Sequence, residues 1–154
     1  MSQTLTKRVQ IAVNPENILQ AFSLMGLALE RNGSLALFHG SQNVALKIPS
    51  EVLEQLGFPP TVFSDGVGLD FQDGQVVFIY DHYNQSLVDG LAEYIEALNA
   101  IGAQAENLEV LKAQGYTFEP VFDLRKQEIG IRAVAPEISP GAAWGNNQIG
   151  GGLW

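Results

Sequence analysis

The sequence predicts an α+β domain, a mainly antiparallel sheet of about six to seven strands with helices packed against it. Two observations carry this. Apolar residues recur at helical spacing in some stretches, and in alternation or short runs in others. The strand-like stretches come in adjacent pairs joined by short turns, so the order β-α-β-β-α-β-β-α(α)-β-β implies hairpins rather than parallel crossovers.

Each element has its own signal. Arg8–Val13 reads as a first strand. Asn14-Pro15-Glu16 opens a helix, with a capping side chain, a proline at the first helical position and an acid at the positive end of the dipole. Ile18, Phe22, Met25 and Leu29 line one face of it, and Asn32-Gly33 is expected to end it. Ser34–His39 and Asn43–Ile48 read as strands joined through Gly40-Ser41-Gln42. Ser50 caps a short helix over Glu51–Leu56, closed by Gly57 and by Pro59-Pro60.

The sharpest local signal is Asp73-Gly74 between Val67–Gln72 and Gln75–Tyr80, a two-residue hairpin turn in which both positions take positive φ. Val76–Tyr80 is apolar on both faces, as a central strand would be. Ser86-x-x-Asp89 has a capping pattern, and Leu87, Leu91, Tyr94, Leu98 and Ile101 continue as one helical face. Gly102 either breaks this helix or sits inside a longer one reaching Gly115. Two strands close the domain, Tyr116–Asp123 and Glu128–Val134. Pro120 places the first of them at an edge or a bulge. The domain is taken as residues 1–135, and residues 136–154 as a Gly- and Pro-rich tail.

Composition narrows the function classes. There are 154 residues, enough for one core. A net charge of −9, from 17 acidic and 8 basic residues, repels phosphate backbones and anionic lipid, so neither nucleic acid nor membrane is an expected partner. The absence of Cys removes disulfide and thiolate chemistry. Met1–Arg8 is polar, without the pattern of a signal peptide, and the longest apolar runs are far shorter than a membrane span. A cytoplasmic protein is expected.

Four features compete with plainer readings. Between Lys47 and Lys112 there is no Lys or Arg, and the acidic surplus sits there. Asp89, Glu93 and Glu96 share the outer face of the third helix. They read either as a solvated face or as a docking surface for a basic protein, with mimicry of nucleic acid as a third reading. Second, both Trp residues, Trp144 and Trp154, lie in the tail. Together with Leu153 they are candidate partner-binding anchors. Third, Asp81-His82-Tyr83 follows a central strand, and His39 ends another. These four residues form the alternative site of a small enzyme or ligand binder, although neighbours on a strand point to opposite faces. No metal-ligand spacing is present, and neither a metal nor a cofactor is expected. Fourth, Asp65-Gly66-Val67-Gly68 and Gly150-Gly151-Gly152 lack the Lys and Ser/Thr of a phosphate loop. No nucleophile motif occurs, and no catalytic residue is assigned.

The first strand and helix, the Val67–Tyr80 hairpin, and the ending Leu108-x-x-Leu111-x-x-x-Gly115-Tyr116 before a last hairpin carry a resemblance. The arrangement is similar to a family of small uncharacterised proteins of cyanobacterial and algal plastid genomes, from which the tail departs. That family has no established activity, so no residue role is carried over. The resemblance implies a cyanobacterial-type host, and by analogy an accessory protein for a photosynthetic or carbon-fixing assembly. The expected function is therefore non-enzymatic: an assembly factor, adaptor or small chaperone, a homodimer, that uses its acidic face, an exposed sheet edge and its tail.

Overall fold

The computed structural model describes residues 4–38, 40–58, 65–123, 125–126 and 128–137. The fold is α+β. A five-stranded antiparallel sheet runs in the order β1-β5-β4-β3-β2, and β6 and β7 form a separate two-stranded sheet. The strands are β1 (Thr4–Ala12), β2 (Glu30–Leu37), β3 (Gly40–Pro49), β4 (Gly66–Gln72), β5 (Gln75–Asp81), β6 (Thr117–Asp123) and β7 (Glu128–Val134). The helices are α1 (Pro15–Leu24), α2 (Ser50–Gln55), α3 (Gln85–Gly102) and α4 (Ala105–Ala113). The expected single sheet of six to seven strands is thus corrected to a smaller main sheet, because among the described residues the last hairpin pairs only with itself, and it packs on α3.

Local signals explain most boundaries. Asn14 caps α1, its side chain accepting from the Glu16 N–H at 2.9 Å with Pro15 in the first turn. The helix stops at Leu24, earlier than Asn32-Gly33, because Gly26 takes φ +75°. The Gly26 N–H donates to the Ser23 carbonyl and the Leu27 N–H to the Phe22 carbonyl, the paired bonds of a glycine-terminated helix. Asn32-Gly33 falls instead inside β2, where Asn32 has φ +50° and interrupts the strand. Leu37 pairs with Gly40, so Gly40-Ser41-Gln42 belongs to β3 and is not the β2–β3 turn. Asp73 and Gly74 have φ +55° and +77°, the turn expected between β4 and β5. Neither Ser50 nor Ser86 caps its helix. Ser50 is already the first residue of α2 and Ser86 the second of α3, and the positions before them carry no side-chain cap.

The main core lies between one face of the sheet and the helices. Val76, Phe78 and Tyr80 of β5, Val67 and Leu69 of β4, and Leu46 and Ile48 of β3 meet Ile18 and Phe22 of α1 and Leu91, Ile95 and Leu98 of α3. Alternation sends Val77, Ile79 and Asp81 to the other face. That face is also closed. Phe38 follows β2, three strands away from β5, which in a flat sheet is about 14 Å. Its N–H nonetheless donates to both Asp81 carboxylate oxygens, at 3.2 and 3.1 Å. The far end of the sheet therefore folds over, burying Leu35, Leu37, Val44 and Ile79 in a small second core. Gly68 permits this: a Cβ there would lie 2.5 Å from Val44 Cγ1.

The fold-over also blunts the β2 edge. Lys47 Nζ donates to the Ser34 carbonyl at 3.3 Å, and the Ala36 and Phe38 N–H groups donate to Asp65 and Asp81. Lys47, with only 10% of its side chain exposed, pairs with Asp65 at 2.9 Å. Three of the backbone groups that would template a further strand, at Ser34, Ala36 and Phe38, are thus occupied.

Candidate functional site

The strand-end constellation resolves into a latch. Asp81 is fully buried at the end of β5, and its two oxygens receive the Phe38 N–H. Tyr83, in the 3-10 turn His82–Asn84, turns its ring toward Phe38, with centroids 6.5 Å apart. His39 and the side chain of His82 lie outside the described residues. Among the described residues, no cluster of three His, Cys, Asp or Glu side chains could hold a metal. Asp81→Ala would leave the part-buried Phe38 N–H without its acceptor. We expect a loss of about 1–3 kcal/mol in urea unfolding, with Asp81→Asn recovering part of it through its carbonyl oxygen.

The acidic face of α3 has a different setting. Leu87, Leu91, Tyr94 and Leu98 bury one side of this helix. Asp89, Glu93 and Glu96 are exposed on the other. Asp89 accepts from Gln85 Nε2 at 3.0 Å, one helical turn back. Glu93 and Glu96 instead border a groove of about 530 Å³ whose lining among the described residues also includes Ala97, Ala100 and Ile129. Two small residues on α3 leave the space, and β7 supplies the far wall.

The hairpin is held there by an aromatic cluster. Phe122 lies 5.1 Å from Phe58 and 6.0 Å from Tyr94 between ring centroids, and Phe58 lies 6.1 Å from Tyr94. The Tyr94 hydroxyl donates to the Gly130 carbonyl at 2.9 Å, a buried bond from α3 to β7. Burial pushes the Tyr94 hydroxyl well above the ordinary tyrosine range, so it remains a donor at any physiological pH. Gly90 and Gly130 let the layers approach, since a Cβ on Gly130 would sit 2.9 Å from Ile101 Cδ1. A second hollow of about 250 Å³ lies farther along the same seam, lined by Ala100, Ile101, Gln104, Leu108, Phe118, Ile131 and Ala133.

Two of the three acids predicted as partner-binding thus line one groove, and Asp89 lies one turn before Glu93 on α3. Trp144, Leu153 and Trp154 lie outside the described residues. Ala97, Ala100 and Ile129 were not legible as site residues, because they acquire meaning only when the hairpin docks. No helix of the described residues is long and apolar enough to cross a membrane. No family model, curated protein or solved structure matches this chain.

Proposed function

We propose that this chain is a non-enzymatic, cytoplasmic protein-binding module, an adaptor, assembly factor or small chaperone. Its docking face is the groove between α3 and β7, and its partner is a protein segment with basic and apolar side chains. The observation that carries this reading is the join of an acid rim to an apolar floor. Glu93 and Glu96 stand beside Ala97, Ala100 and Ile129 around one hollow. Basic side chains would meet the rim while apolar ones displace water from the floor. Neither glutamate has an ion-pair partner among the salt bridges within the described residues, whereas Arg132 on β7 is engaged by Glu119 and Glu128. The carboxylates are therefore available to an incoming cation.

The test is charge reversal. Glu93→Lys combined with Glu96→Lys changes only exposed side chains, so thermal stability should hold. Binding to a partner captured by the native chain should weaken about tenfold, from two exposed ion pairs at up to about 1 kcal/mol each. The native complex should also weaken as salt rises. Undiminished capture by the double variant at both low and high salt would remove the groove from the function.

A further inference from the structure

The second hollow points to an occupant within the chain. Its walls are Ile101, Leu108, Phe118 and Ile131, and Gln104 is the one polar side chain of its lining among the described residues. At about 250 Å³ it is below the size of pockets that take drug-sized ligands, which begin near 300 Å³, and it suits a single large side chain. An indole matches this lining in kind. It is a broad apolar ring with one N–H, and a glutamine amide oxygen is an acceptor for that N–H.

Trp is absent from residues 1–143 and present at 144 and 154. The connection is short. Ala133 borders the hollow and β7 ends at the next residue. The Pro136 ring lies beside Gly115 at the end of α4, 3.3 Å from where a Cβ would be. The described chain therefore stops, at Glu137, close to the seam. Residues 138–154 carry no Asp, Glu, Lys or Arg, so they suit an apolar slot and not the acid rim. Trp144 follows Ala133 by about 11 residues, a contour of about 36 Å, and Pro140-Gly141 between them is a turn-forming pair. A linker this short holds the indole at about millimolar effective concentration, and the longer path to Trp154 lowers it.

We propose that the slot between α3, α4 and the β6–β7 hairpin is an indole seat, and that its occupant is Trp144 of the same chain. The assignment does not depend on the acidic groove binding anything. Ala100 lines both hollows, so the seat adjoins that groove.

The test uses the full chain with Trp154→Phe, leaving Trp144 as the sole Trp. Its emission maximum should lie to the blue of the same protein in urea, and acrylamide quenching should be several-fold weaker than in urea. Leu108→Lys, at a half-buried position on α4, should shift the emission back to the red while circular dichroism stays native. A measurement that needs no slot variant is the nuclear Overhauser effect, expected between the Trp144 ring and the methyl groups of Ile131 and Ala133. Emission equal to that of the unfolded chain, or the absence of those cross-peaks, would overturn the seat. Cross-peaks found only between differently labelled copies would overturn the same-chain occupant in favour of a second copy.

Discussion

Replacing Gly102 with Ala should cost about 3 kcal/mol, the upper part of the usual range for overpacking, and Val at this position should cost more. Gly102 is the last residue of α3 and is buried where that helix crosses α1. A Cβ there would fall 1.8 Å from the Asn17 carbonyl oxygen and 2.5 Å from its carbon. Both are backbone atoms, so no side chain can rotate away and the helices must part. The crossing is also pinned by Asn99, one turn earlier. Its Oδ1 accepts from the Asn14 N–H at 2.9 Å and from Asn17 Nδ2 at 3.3 Å, and its Nδ2 donates to the Ala12 carbonyl at 3.4 Å. A wider crossing would stretch these bonds and open the core around Ile18 and Leu98. Urea titration followed by circular dichroism would read the loss as a lowered midpoint. A midpoint within experimental error of the native chain would show that the two helices can separate at little cost.

The same residue shows how far the sequence could be read. Gly102 was legible as an interruption, and α3 does end on it, but its contact with Asn17 joins positions far apart in the chain. Signals confined to a few residues carried through: Asn14-Pro15 at the start of α1, Asp73-Gly74 between β4 and β5, and the doubly apolar Val76–Tyr80 as an interior strand, between β1 and β4. Asn32-Gly33 misled because Gly26 supplies the helix stop about two turns earlier, leaving the second pair inside β2. Asp81 looked like a displayed strand-end acid. It is buried because the sheet folds over it, and that depends on the missing side chain of Gly68 two strands from β2. The acid row on α3 was visible as charge. Its groove was not, since the floor is drawn from two helical alanines and a β7 isoleucine brought together by the docked hairpin.

That docking should fail in Phe122→Ala. A two-stranded sheet standing alone is marginal in water, so β6–β7 depends on what it packs against. Phe122 is its main aromatic contact, set against Phe58 and Tyr94, while Phe118 is buried farther along the seam. Truncating a core phenylalanine costs about 3–5 kcal/mol. Phe122 is only partly buried, so its loss should fall at the lower end of that range. The loss should be local. The five-stranded sheet, α1 and most of α3 keep their contacts, whereas β6, β7 and the Tyr94–Gly130 hydrogen bond lose their clamp. Amide hydrogen exchange should therefore quicken in β6 and β7 by far more than in β4 and β5. The partner binding proposed for the α3–β7 groove should fall with it, because Ile129 leaves the floor while Glu93 and Glu96 stay in place. The comparison with charge reversal is informative. Glu93→Lys with Glu96→Lys removes the rim and keeps the floor, while Phe122→Ala keeps the rim and removes the floor. A partner that needs both should lose affinity in each variant. One that tolerates Phe122→Ala reads charge alone, and the apolar half of the groove would then have no part in recognition.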